Sequence, residues 1–214
     1  MLQIGCAGQK QVEQNRQLWF ILVSSRVADS QFGVRSSIKW VLVSPELEQI
    51  RREVERVAAA MSPEQWRYAP PGKWSSAQIL EHLLLSYTAT TKGAQRAMQL
   101  GKPLGGEPTL RDRLATFTVA KLGLLPSGRK APKQATPSNG TAIQSLRQFN
   151  DALVAMDASL ADAEKRFGRA VKILDHPILG PLNVHDWRRV HLVHARHHLK
   201  EIERRRKQAS ADRS

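Results

Sequence analysis

Residues 183–207 read NVHDWRRVHLVHARHHLKEIERRRK, and this stretch decides the fold. Asn183 is a favoured N-cap residue, and Asp186 stands three positions on, where a capping box places its acid. A helix therefore starts here and runs through Trp187, a histidine cluster and Ile202 to about Lys207. Arg204, Arg205, Arg206 and Lys207 sit where cations complement the negative end of the helix macrodipole. Five of the chain's seven histidines fall in this helix: His185, His191, His194, His197 and His198. His194 and His198 are four residues apart, so they project from one face about 40° apart, one turn above the other.

Upstream, His176-Pro177 and Gly180-Pro181 form a tight connection. Before it, Thr141 opens a helix with Leu146, Phe149, Leu153, Met156, Leu160 and Phe167 on its apolar face, ending near Gly168. Pro126, Gly128, Pro132, Pro137 and Gly140 mark a long loop, preceded by a modest helix from about Leu110 to Leu122. Ser75 caps a long helix over Ser76–Leu100, which Gly101 stops. Its inward stripe comprises Ile79, His82, Leu83, Ser86, Thr90, Ala94 and Ala97. Ser44-Pro45-Glu46 supplies a cap, a proline in the first turn and an early acid, and Leu47, Ile50, Val54, Val57 and Met61 follow at helical spacing. A second Ser-Pro-Glu at Ser62 starts a short turn near Trp66. No strand pattern stands out. Four amphipathic helices with long crossover connections predict an all-α four-helix bundle over 44–207, with 208–214 as a disordered tail.

The 214-residue chain has one cysteine, a net charge of +14 and only 6% aromatic residues. A lone Cys6 excludes an intrachain disulfide and a cysteine-cluster metal site. Few aromatics argue against a base-stacking platform, and the basic excess is spread over a loop, a helix end and the first segment, so nucleic acid is not the expected partner. Residues 1–43 show neither helical nor strand periodicity. They read as a weakly packed extension, or as an upstream stretch added by a misassigned start, Val41 offering an alternative. Their longest apolar run, Leu18 to Val23, is too short to span a membrane, and no small-residue cleavage site follows it. A cytoplasmic protein is expected.

Histidines at i and i+4 on a rigid helix can grip one ion, and His82, on the inner stripe of an earlier helix, is the candidate third ligand. Three neutral imidazoles leave a position for water or substrate, as in catalytic rather than structural sites. His191 lies on the same face one turn earlier and competes for this role or supports it from behind. Glu201, three residues past His198, can orient an imidazole, serve as a further ligand, or pair with Arg204 or Arg205 at the surface.

Two blocks carry a resemblance to a known family. The first is Gly72-Lys73-Trp74-Ser75 leading to Ile79-Leu80-Glu81-His82-Leu83. The second is His176-Pro177-Ile178-Leu179-Gly180-Pro181-Leu182, then Asp186-Trp187, then His191 through Leu199 with its HxxHH ending. In order and separation they are similar to the DinB superfamily of DinB-like and YfiT-like metalloenzymes, over roughly residues 45–207. The resemblance implies a four-helix bundle with a divalent metal (Zn, Ni, Mn or Fe) held by His82, His194 and His198. It also implies an activity in the range of low-molecular-weight thiol transfer to electrophiles, thiol-dependent isomerisation and metal-assisted hydrolysis.

The expected function is a metal-dependent transferase passing a low-molecular-weight thiol to a small electrophile. A divalent ion favours the deprotonated thiol near neutral pH, and no general base stands out in the sequence. Arg129, Lys130 and Lys133 in the loop offer attraction for an acidic substrate. The rivals are a hydrolase with the same site, a metal-binding or dimerising module without catalysis, and a basic nucleic-acid-associated bundle. A homodimer remains open.

Overall fold

The computed structural model describes residues 43–125, 131–138 and 140–212. The extension at 1–42, with Cys6 and the Leu18–Val23 run, lies outside the described residues, as do Arg129, Lys130 and the last two residues. The described chain is mostly helical. In order it comprises α1 (Pro45–Ala59), α2 (Pro63–Arg67), α3 (Ser76–Leu100), α4 (Leu110–Thr116) and a π-helical turn (Phe117–Lys121). A 3-10 turn (Lys133–Ala135), α5 (Ala142–Phe167), β1 (Leu174–His176), β2 (Gly180–Leu182) and α6 (Val184–Ala211) complete it.

Local sequence explains the helix boundaries. Ser62 and Ser75 each accept from the backbone N–H three residues on, while Gln65 and Gln78 reciprocate, closing two capping boxes. Gly101 ends α3 in the left-handed conformation that favours glycine. Asn183 caps α6 through the Asp186 N–H, but the Asp186 carboxylate turns outward to the Lys172 ammonium at 3.1 Å and closes no capping box. Ser44 occupies the N-cap position of α1 without a side-chain bond. Its backbone N–H donates instead to Asp157 Oδ2 at 2.7 Å, tying the start of α1 to α5.

The long helices α1, α3, α5 and α6 lie against one another, with the broadest contact between α3 and α5 and the next between α1 and α6. The faces read from periodicity meet in one core: Leu47, Ile50, Val54 and Val57 of α1, Ile79 and Leu83 of α3, Phe149, Leu153 and Leu160 of α5, and Leu199 and Ile202 of α6. Each such aliphatic side chain contributes about 2 kcal/mol by leaving water. Asp157 is buried with them and accepts from Arg188 Nε at 2.8 Å, joining α5 to α6.

Two expectations are corrected, and a third is refined. The connection before α6 is a two-stranded antiparallel hairpin, Leu174 opposite Leu182 and His176 opposite Gly180. Its strands are three residues long and the second contains Pro181, so they are too short to show alternation in sequence. The segment 110–122 is helical as expected, an α-helix that widens into a π-helical turn. Finally, α6 continues to Ala211, so 208–211 is helix rather than tail; Ala209 is buried, and Ser210 Oγ bonds back to the Arg206 carbonyl.

Candidate metal centre

His82 is on the second turn of α3, and His194 and His198 lie on successive turns of α6. Packing of the two helices brings the three rings together. Their ligand nitrogens lie within 4.8 Å of one another: His194 Nε2 is 3.1 Å from His82 Nε2 and 3.0 Å from His198 Nε2.

The outer nitrogens have fixed partners, and those partners fix the tautomers. His82 Nδ1–H donates to the Ala135 carbonyl at 2.6 Å. His198 Nδ1–H donates to Glu201 Oε2 at 2.7 Å. Carbonyl and carboxylate oxygens only accept, so in each neutral ring the Nε2 lone pair is bare. Both lone pairs face His194 Nε2, which carries at most one proton and can serve only one of them. A cation satisfies all three nitrogens at once. Separations near 3 Å suit nitrogens sharing an ion with bonds of about 2.0–2.1 Å. The donor set therefore fits a divalent metal.

Burial also favours the neutral form of His82 and His194, the form that ligates. Desolvation pushes His82 down to about 4 from its ordinary 6.5. His194 is held well below its ordinary value, first by burial and then by the neighbouring His198 and His82 rings. Glu201 is held below the usual carboxylate range chiefly by its bond from His198, and Arg205 approaches its other oxygen at 3.9 Å. Glu201 thus orients His198 and faces Arg205 rather than pairing with Arg204. A second group, His197, His198 and Glu201, is also close enough to share an ion. It would use the His198 nitrogen already committed to Glu201, so the Nε2 group is the better-formed site.

His191 does not join the three. Its Nε2–H donates to Thr90 Oγ1 at 3.0 Å, the threonine hydroxyl in turn donating to the Ser86 carbonyl. Its ring packs between Tyr87 and Trp187, and burial pushes it down to about 3. His185 and His197 are half-buried, outside the cluster.

A cavity of about 470 Å³ opens onto the three histidines. Trp74, Leu104, Leu125, Leu174, Ile178 and Trp187 give it a mainly apolar wall, broken by Ser86, Thr90, Asp175, His176 and His191. Its size suits a small organic molecule. Of its polar groups, His176 is the most defined. The Ile178 and Leu179 N–H groups donate to its Nδ1 at 3.1 and 3.3 Å, so its proton sits on Nε2. Burial holds it down to about 4, so it stays a neutral donor at pH 7. Asp175 Oδ1 accepts from the Gly106 N–H.

Several of these residues escaped the sequence reading. His176 appeared only as part of a turn. Ala135 acts through its backbone carbonyl, which leaves no trace in residue type. Glu81 is the least expected contributor: it accepts from Ser138 N, Ser138 Oγ and Gly140 N at 3.1, 2.7 and 3.2 Å, while Gln78 Nε2 donates to the Ser138 carbonyl. These bonds fasten the end of the proline-rich loop to α3 and thereby set Ala135 over His82.

Compared with known families, residues 43–205 match the family described as "Protein of unknown function (DUF1569)", and the chain belongs to it. No curated protein and no solved structure matches it. The matched span contains the three histidines, the fastened loop and the whole cavity wall. Among the described residues no helix is long and apolar enough to cross a membrane.

Proposed function

We propose that the protein is a DinB-like four-helix bundle that binds a divalent metal through His82, His194 and His198 and transfers a low-molecular-weight thiol to a small electrophile. The observation that carries this reading is the convergence of three Nε2 atoms, two with lone pairs bared by partners on the far side of their rings. When bound, a divalent metal supplies Lewis acidity that favours the thiolate over the thiol near neutral pH.

The protein's own groups supply the rest. Ala135 and Glu201 fix ring orientation and hold the single proton of each neutral ring on Nδ1, leaving Nε2 as the ligating nitrogen. The apolar wall excludes water from the reacting pair and gives an organic electrophile a surface to cover. His176 holds a proton on Nε2, where it can donate to an oxygen of the electrophile as negative charge develops there. Among the described residues the only carboxylate lining the cavity is Asp175, which is engaged by a backbone N–H. Deprotonating a thiol asks less of a metal than deprotonating water, so a cavity whose only described carboxylate is Asp175 favours the thiol. A soluble thiol co-substrate also accords with a reducing, cytoplasmic setting.

Elemental analysis of the purified protein beside His82→Ala, His194→Ala and His198→Ala tests this. Near-stoichiometric metal in the parent, lost in each variant with the fold retained by circular dichroism, is the expected result. Full metal content in all three variants would refute the site. A metal-loaded protein inert toward thiols paired with electrophiles would leave the binding site standing and remove the transferase.

A further inference from the structure

A second hollow of about 390 Å³ adjoins the histidine cavity, and the two share Leu125 and His197 on their walls. Four cations line it: Lys121 from the π-helical turn and Arg189, Arg196 and Lys200 from α6. No carboxylate is among its described lining residues. Two of the cations are anchored. Arg189 Nε donates to the Ala120 carbonyl at 3.3 Å, and Arg196 is held by Glu53 and Gln49. Among the described residues, the ammonium groups of Lys121 and Lys200 have no ion-pair partner. The nearby Glu201 is already committed to His198 and Arg205.

Scattered lysines are ordinarily solvated charge. Here positive groups from two elements converge in one concavity that shares Leu125 and His197 with the histidine cavity, and among the described residues two of them have no ion-pair partner. We infer that this hollow binds the anionic group, a carboxylate or phosphate, of a small molecule whose other end reaches the three histidines. The inference rests on the metal-site reading and narrows it: the thiol carries an anionic tail. Arg196 is ion-paired with Glu53, so the charge open to an oxyanion comes from Arg189, whose guanidinium is oriented by the Ala120 carbonyl, and from the two lysines, which add mobile charge.

The test uses the full-length protein loaded with Co²⁺. Thiol binding is followed by sulfur-to-cobalt charge-transfer absorption and by calorimetry. The probes are ω-mercaptocarboxylates with two to eight methylenes, each beside the mercaptoalcohol of equal length. At the best tether length the carboxylate should bind about tenfold tighter than its alcohol, as expected for two partly exposed ion pairs. Lys121→Gln with Lys200→Gln should abolish that preference and leave the alcohol unchanged. Lys92→Gln with Arg96→Gln, which removes the same charge from an exposed stretch of α3, should retain it.

Equal affinity of acid and alcohol at every length would overturn the inference, as would equal loss in the control pair, which would assign the preference to the chain's overall charge. Should neither probe reach the cobalt, the thiol reading fails by itself. Calorimetric titration with inorganic phosphate, and separately with acetate, then decides the hollow alone. Saturable binding lost in the Lys121/Lys200 pair upholds it, its absence removes it, and the stronger of the two anions identifies the tail.

Discussion

The loop fastened by Glu81 couples a surface carboxylate to the affinity of the metal site, and Glu81→Ala should expose that coupling. The variant removes the acceptor for three hydrogen bonds, from Ser138 N, Ser138 Oγ and Gly140 N. These bonds are partly exposed, so each is worth about 0.5–1 kcal/mol, and together they hold the loop by about 2 kcal/mol. Among the described residues the Gln78 bond to the Ser138 carbonyl then remains at this end. With the loop released, Ala135 no longer holds His82 Nδ1 in place, and the ring becomes free to turn or change tautomer. Loss of such an outer-nitrogen partner lowers metal affinity about 10–100-fold. Competition for Zn²⁺ with a chromophoric chelator reads the affinity, and hydrogen exchange across 131–140 reads the loop. The reasoning predicts that both change together while the global unfolding midpoint moves by only a few degrees. Faster exchange in the loop with unchanged Zn²⁺ affinity would refute the claim that this segment sets His82.

Three further outcomes follow from the same structure. Burial holds His82 and His176 near 4 and His191 near 3, whereas their unfolded values stay near 6.5, so the unfolded chain binds more protons throughout that window. The stability of the metal-free protein should therefore be fullest above about pH 6.5, fall as pH drops, and level off below the folded values. A thermal midpoint flat from pH 7 to 4 would contradict this, and bound metal should be released over the same acid range. Asp157→Ala leaves the Ser44 N–H without its acceptor and Arg188 with Glu164 at 3.4 Å as its remaining carboxylate, and should cost about 2 kcal/mol in denaturant unfolding. Tyr87 is fully buried and, among the described residues, its hydroxyl has no hydrogen-bond partner, so Tyr87→Phe should be neutral or stabilise by up to about 1 kcal/mol; a clear loss in the same assay would mean the hydroxyl is satisfied.

Helical periodicity and capping carried much of this architecture in plain view. The α1 and α5 faces, the Ser75 and Asn183 caps and the Gly101 stop depend on residues a few positions apart, and short-range rules govern them. The histidines were legible for the same reason on α6, where i and i+4 spacing is a local property. Their meeting with His82 depended on a pairing of helices that no local pattern encodes. What stayed hidden acts through backbone or across long separations. The Ala135 carbonyl has no sequence signature, the Glu81 bonds to Ser138 and Gly140 span more than fifty residues, and the short hairpin gives His176 its tautomer only once its turn is closed. The proline-rich loop looked like an interruption because proline and glycine report where helices stop, and say little about where the loop then docks.

The charge balance of the site connects its chemistry to its surroundings. Three neutral imidazoles contribute no negative charge to a divalent cation, and the nearest anion, Glu201, acts through the far nitrogen of His198 while facing Arg205. A metal held this way keeps most of its positive charge, unlike one set among carboxylates or thiolates. Such a centre favours an anionic ligand at its open position, because that ligand gains Coulombic attraction in a cavity whose apolar wall screens poorly. A thiolate fits this requirement better than neutral water does. Lys121 and Lys200 next door extend the same positive potential outward, so a molecule with a thiol at one end and an acid at the other would meet attraction along its whole length. Replacing His198 with a carboxylate should reverse the trend. His198→Asp would retain a ligand type able to hold Zn²⁺ but lower the charge at the centre, and thiol affinity should fall much further than metal affinity. Equal losses of both would show that ligand geometry, rather than charge, governs what the site accepts.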